Sequence, residues 1–417
     1  MQLGLTYMTP YLDKHRFTGP LFDLPEFVPD MIVCLPVLNE PRLIRTLESL
    51  AQAKANYPYN VLILILFNHS ATADQAVKES NQAAYLHFAQ AIRPMVNPRF
   101  SIQAHLLALP KKHAGVGLAR KILMDEGVRL FALAENKEGI LAAMDGDSTV
   151  APNYFQAIDD FFRRHPKLEA ASIHYEHPLP KNERERRAII QYELHLRYFV
   201  EAQKMAGLPT AYQTIGSSMA VRQSAYQLQG GMNRRKAGED FYFLQKFARK
   251  GTLGNLNETT VYPSARISDR VPFGTGRAMG RLLASDSTLD THALIIFDQI
   301  KLLLDGMPAI WNYTVEQIEQ FRQSMPPAVQ AFLAENGFLE RVLDAQKNTA
   351  SPAAFLKRFY NWFDGFTMMK YVHFARDHYY PDEPIDSVAH QFATREWGYK
   401  GQKEDILGLL EQYRQHR

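Results

Sequence analysis

Hydrophobic positions in the first 150 residues gather into four short runs, at 31–35, 61–67, 104–109 (interrupted only by His105) and 140–144. A polar loop follows each run, and after the first three comes a stretch of helical periodicity, such as 43–53. A run that is apolar at every position is buried on both faces, as parallel strands covered by helices are. Asn68, Ser70, Thr72 and Asp74 supply helix-capping groups after the second run. The third leads through Pro110, Lys111, Lys112 and His113 into a helix reaching about residue 134. The pattern predicts an α/β fold with a doubly wound, mostly parallel sheet, whose ligands lie beyond the carboxyl ends of the strands.

Further along, 168–174 reads as a strand, 183–205 as a long helix, 214–221 as a small-residue strand or loop, and 260–262 as a closing edge strand. From about residue 285 the pattern is helical, as in 293–304 and 352–366. Ahead of the first run, Pro10, Pro20, Pro25 and Pro29 are too closely spaced for a regular helix, so residues 1–30 are expected to form an irregular arm on the domain. The expected division is an arm at 1–30, a sheet domain at 31–284 and a helical region at 285–417.

Composition narrows the functional classes. The chain has 417 residues, 46% of them hydrophobic and 22% charged, which is ample for one large or two ordinary domains. A formal charge of +3 with no long basic run gives no reason to expect nucleic acid as a partner. Cys34 is the single cysteine, so no internal disulfide forms. No leader-like segment begins the chain, and no apolar run approaches the roughly 20 residues that span a bilayer. The expectation is a cytoplasmic protein, with peripheral membrane association left open.

The candidate chemistry sits where the fourth run ends, at Asp145-Gly146-Asp147. Two hard oxygen donors around a glycine suit Mg2+ or Mn2+, which keep their other positions for water and a substrate's phosphates. An Asp-Gly turn is the plainer reading of the same residues. Glu239 and Asp240 begin a helix behind Gly238, where acidic side chains also simply complement the helix dipole. Arg266 and Arg270 lie in a basic, glycine-containing loop that suits an anion as well as plain solvent. His174 and His177 are read as structural or surface histidines rather than metal ligands.

In this order the motifs resemble the family 2 glycosyltransferases of the GT-A fold, over about residues 31–265. Pro36-Val37-Leu38-Asn39-Glu40 is similar to the family's first-strand signature, Gly117-Leu118-Ala119-Arg120 to its helix start, and Asp145-Gly146-Asp147 to its metal motif. Gly230-Gly231 followed by Gly238-Glu239-Asp240 is similar to its acceptor-side segment. Two positions depart: Asn68 stands where the family usually has aspartate, and Lys121 where it has asparagine.

The resemblance implies a metal-dependent inverting hexosyltransferase-like enzyme; the helical C-terminal extension read from the pattern lies outside it. Its donor would be a nucleoside diphosphate sugar and its acceptor a hydroxyl on a glycan, a lipid-linked compound or a small molecule. Pro36, Leu38, Asn39, Glu40, Asn68, Gly117, Arg120 and Asp145 would contact the nucleotide sugar, and Asp147 with Asp145 would hold Mn2+ or Mg2+. Asp240 would be the general base with Glu239 beside it, while Lys112, Arg266 and Arg270 are candidates for the diphosphate. The rival readings are a retaining enzyme on the same fold, a nucleotidyltransferase, and a non-catalytic nucleotide-sugar-binding protein.

Overall fold

The computed structural model describes residues 9–268, 274–284 and 288–416. The chain divides into two compact units, Met1–Pro178 with Thr214–Ala278, and Leu179–Gln213 with Met279–Arg417. The long helix Glu183–Met205, although inside the 31–284 span of sequence, belongs to the second unit.

The first unit is built on an eight-stranded sheet: β1 (Met31–Val37), β2 (Val61–Ser70), β3 (Phe100–Leu109), β4 (Ile140–Ala143), β5 (Thr149–Val150), β6 (Ala170–Tyr175), β7 (Met219–Arg222) and β8 (Leu253–Tyr262). Its order is β3-β2-β1-β4-β7-β6-β8-β5. The pairs β1–β2, β2–β3, β1–β4 and β6–β8 are parallel, and β4–β7, β6–β7 and β5–β8 are antiparallel. The fold is therefore mixed α/β, with a mainly parallel sheet flanked by helices. Because β1 lies between β2 and β4, the chain winds outward from it in both directions, and the crevice at such a reversal is where open α/β sheets receive ligands.

Helices Leu43–Ala55 and Tyr154–Arg164 cover one face, packing Leu47, Leu50, Phe155 and Ile158 on Val33, Ile63 and Ala142. Each such fully buried aliphatic side chain contributes about 1.5–3 kcal/mol relative to exposure. Helix Val116–Leu133 is buried almost all round despite Lys121, Asp125, Glu126 and Arg129. The amino-terminal arm explains this. Tyr11 Oη donates to Asp125 at 2.8 Å, Lys121 Nζ lies 2.9 Å from the same carboxylate, and Leu21 N–H donates to Glu126 at 2.8 Å.

Two expectations are corrected. Residues Pro10–His15 form a helix within the arm, because Pro10 stands at its first position, where no N–H is needed, behind a Thr9 cap. The 260–262 run is the end of the ten-residue β8, which lies inside the sheet; the edge is β5, only two residues long. The polar alternation of 253–259 hid the first part of β8, since only every second or third residue there faces the core.

In the second unit, helices Glu183–Met205, Leu294–Gly306, Ile385–Trp397 and Ile406–Gln415 share a core that includes Tyr198, Phe297, Phe392 and Leu409. Glu193, fully buried, accepts from Arg197 Nε and Arg414 Nε at 2.8 Å each, so a paired charge fastens the last helix to the first. Among the described residues, no helix is long and apolar enough to cross a membrane.

Candidate functional site

The crevice beside β1 and β4 is lined by the segments that leave their carboxyl ends. Parallel pairing sets Cys34 opposite Ala143, and Met144 N–H donates to the Cys34 carbonyl at 3.1 Å. Beyond that point Asp145–Ser148 turns, with Ser148 N–H donating to the Asp145 carbonyl at 3.2 Å. Thr46 Oγ1 fixes the turn by donating to the Gly146 carbonyl at 2.9 Å. A Cβ on Gly146 would meet Val37 Cγ2 at 3.1 Å, so the glycine lets the β1 segment lie close.

Arg120, on the first turns of helix Val116–Leu133 and only 1% exposed, joins the two acidic pairs. Its guanidinium donates to Asp145 Oδ1 at 2.7 Å and to Glu239 Oε1. Glu239 is buried in the first turn of helix Glu239–Lys250, which begins behind Gly238 at φ 70°, a left-handed conformation that favours glycine. A Cβ on Gly216 would lie 2.8 Å from Arg120 and 3.0 Å from Asp240 Oδ2, so Gly216 leaves the space between them open. Burial first, and then the neighbouring Glu239 charge, push the Asp240 carboxyl up to about 7, against the opposing pull of Arg120.

A second guanidinium occupies the other side. Arg266 Nε donates to Asp147 Oδ2 at 2.9 Å, and its terminal nitrogen pairs with Glu40 Oε2. Strand pairing makes this meeting geometrically natural: Thr149 is opposite Tyr262, so the residues just before β5 and just after β8 emerge together. Burial and the Asp147 charge raise the Glu40 carboxyl above its ordinary range, and burial and the Asp145 charge raise that of Asp147. Among the described residues, no group of three or more His, Cys, Asp or Glu side chains is arranged to hold a metal ion.

The remaining candidates are placed differently. Asn68 is buried, and its amide nitrogen donates to the carbonyls of Val37 at 3.0 Å and Leu66 at 3.2 Å. An aspartate cannot make those two bonds, so the amide here ties β2 to β1. Asn81 Nδ2 donates to the Asn68 carbonyl at 3.3 Å, and Asn39 N–H donates to Asn81 Oδ1 at 3.4 Å. Asn39 has φ 46°, unusual for a residue with a side chain, and its Oδ1 is buried with no partner among the described residues.

Pro36 and Leu38 are half-buried on either side of Val37. Gly117 meets the loop before Gly238, since its Cβ would fall 2.1 Å from the Arg235 carbonyl oxygen. Lys112 is exposed in the turn after β3, and Arg270 lies outside the described residues. His174 Nε2 is 2.9 Å from Glu176 Oε1 and His177 Nε2 is 3.3 Å from Thr275 Oγ1.

Sequence reasoning missed Gly216, Asn81 and Asn233. Gly216 is visible only as one of several small residues, and Asn81 and Asn233 carry no pattern of their own. Asn233 Nδ2 donates to the Glu239 carbonyl at 3.0 Å and so orders the turn that carries Asp240.

No protein-family profile matches the chain, and no curated protein does. Among solved structures, S. aureus TarS 1-349 is 13% identical with a TM-score of 0.36, over 79% of this chain and 89% of that one. The mannosyltransferase PcManGT from Pyrobaculum calidifontis, in complex with GDP-Man and Mn2+, is 16% identical with a TM-score of 0.38, over 88% of this chain and 90% of that one. At such low identity and loose superposition, neither likeness bears on what this chain does.

Proposed function

We propose that the chain is an inverting glycosyltransferase that moves a sugar from a nucleoside diphosphate sugar to an acceptor hydroxyl. The observation that carries this reading is Arg120, whose single guanidinium holds the carboxylate at the end of β4 and the carboxylate at the start of helix Glu239–Lys250 in one site. One acidic pair could hold the cation that a donor's leaving diphosphate requires, and the other could take the acceptor's proton.

Asp240 is the general base of the proposed reaction. A carboxyl pushed up to about 7 is a far better proton acceptor than an ordinary aspartate, and near neutral pH a large fraction of it is ionised. The acceptor oxygen forms its bond to the anomeric carbon from the side opposite the leaving group. The carbon–oxygen bond to the diphosphate breaks with its electron pair on the leaving phosphate, and the acceptor's proton passes to Asp240. Glu239, committed to Arg120, is a positioning residue.

Arg266, beside Asp147, is placed to turn towards the departing diphosphate. The pair Asp145 and Asp147 fits a cation that brings its other ligands with it, because the Asp145 side chain is 43% exposed and both are hard oxygen donors. Mg2+ or Mn2+ held there would supply charge neutralisation of the leaving diphosphate.

The test is incubation of the purified chain with Mn2+ and a panel of uridine, guanosine and thymidine diphosphate sugars. Slow release of nucleoside diphosphate without acceptor is expected from at least one donor, and transfer to an acceptor should invert the anomeric centre. Product with retained configuration would sink the inverting mechanism. A second reading, a nucleotide-sugar-binding protein without catalysis, is favoured by the neutralisation of Glu40 and Asp147 by Arg266. Donor binding with no release from any sugar nucleotide would select it.

A further inference from the structure

Positive charge collects along one side of the acidic group. The turn after β3 carries Lys111 and Lys112 and is closed by His113 and Ala114, whose N–H groups donate to the Pro110 carbonyl at 2.9 and 2.8 Å. It leads straight into Gly115 and the helix that bears Arg120. Against that point rests the segment containing Arg234, Arg235 and Lys236. A Cβ on Gly117 would come 2.1 Å from the Arg235 carbonyl oxygen, and one on Gly115 would come 3.0 Å from Lys236 Cα. Two stretches far apart in sequence therefore form one basic rim.

The rim is built rather than loose. Arg235 N–H donates to Asn233 Oδ1 at 3.0 Å, while Asn233 Nδ2 bonds to the Glu239 carbonyl and so locks the segment to the turn carrying Asp240. The Arg235 guanidinium lies 3.8 Å from the Tyr242 ring centroid, and that of Arg234 lies 5.4 Å from the centroid of Phe17. A guanidinium whose face is covered by a ring keeps its N–H edge for planar oxygens. Lys111, Lys112, Arg234, Arg235 and Lys236 are all exposed. Among the described residues none of the five pairs with a carboxylate, whereas Arg120 and Arg266 are both paired. Like charges gathered this way repel one another until an anion joins them.

We propose that this rim binds a phosphate group carried by the acceptor, presenting a phosphorylated hydroxyl compound to Asp240. The proposal rests on the reading of Asp240 as the base. The donor's diphosphate belongs to the other side, with Asp147 and Arg266, so the two anions have separate seats.

The test uses the full chain and two probes, myo-inositol 1-phosphate and unphosphorylated myo-inositol, titrated by calorimetry both without and with saturating nucleoside diphosphate. The variant K111Q/R234Q/K236Q keeps the Arg235 stack and should retain acceptor-free hydrolysis of the sugar nucleotide, which checks that it folds. The phosphorylated probe should bind in preference to the plain polyol, and the variant should bind it at least about ten-fold more weakly. Equal binding by the variant, or no preference for the phosphate, overturns the proposal. Displacement of the probe by nucleoside diphosphate overturns the acceptor assignment and gives the rim to the donor. A wild-type chain that hydrolyses no sugar nucleotide yet still prefers the phosphorylated probe ends the transferase reading, and the acceptor assignment with it, while leaving an anion site in place.

Discussion

Arg120 donates to Asp145 at 2.7 Å from a position 1% exposed, and the same guanidinium also holds Glu239. Removing it strands buried negative charge. Arg120→Met should destabilise the fold by about 3–5 kcal/mol, the usual loss when one partner of a buried pair is deleted. Adding Glu239→Gln should restore part of that loss, because the stranded charge is then gone. Urea unfolding of both variants measures it, and additive losses would mean that the two residues are not coupled.

Asp240 links activity and stability to pH in opposite directions. With its carboxyl pushed up to about 7, transfer that needs the ionised base should rise with pH through that value and level off above it. The folded chain also keeps a proton that the unfolded chain has released between the ordinary aspartate range, near pH ~4, and about 7. Stability from this group is therefore lost as pH rises through the window. Asp240→Asn should abolish transfer and raise the melting temperature relative to the native chain at pH 8 more than at pH 5.5. A pH-independent rate would remove Asp240 from the role of base.

Arg266 pairs with Asp147 and Glu40, so in the proposed enzyme it would compete with a cation for these carboxylates. Arg266→Gln should bind Mn2+ more tightly in the absence of nucleotide, as read by the loss of free Mn2+ signal in electron paramagnetic resonance. The same variant should bind nucleoside diphosphate more weakly, because a phosphate contact has gone. Unchanged Mn2+ affinity would show that this guanidinium does not govern access to the carboxylates.

Asn68 donates to two backbone carbonyls, so Asn68→Asp places an acceptor where donors are required. The expected cost is about 1–3 kcal/mol, the penalty for leaving buried polar groups unsatisfied. Denaturant midpoints check this. A neutral substitution would return the position to nucleotide recognition alone.

Gly117→Ala introduces a Cβ 2.1 Å from the Arg235 carbonyl, which forces the basic segment away from the helix start. Hydrogen exchange in residues 231–238 should speed up while β1 and β2 stay protected. If exchange is unaltered, the close approach is absent in solution.

What the sequence reveals follows from the range of the forces that write it. The strands at 31–37 and 61–70 are legible because burial on both faces leaves an unbroken apolar run. The motif carboxylates are legible because Asp145, Asp147, Glu239 and Asp240 stand in fixed local settings, a strand end and a helix start. Their partners are not. Asp147 meets Arg266 because β5 and β8 pair, and no local pattern announces a contact between such distant residues. The polar half of β8, the capped helix at Pro10 and the amide chain through Asn81 were hidden for related reasons: alternation weakens the signal, and capping or amide bonding depends on neighbours the sequence does not name.

The contacts of Tyr11 and Leu21 with helix Val116–Leu133 bear on how this protein should be handled at the bench. A recombinant fragment trimmed to begin at β1 would expose Asp125 and Glu126 to water and loosen the scaffold that aims Arg120. Fragments cut for crystallisation should retain residues 9–30.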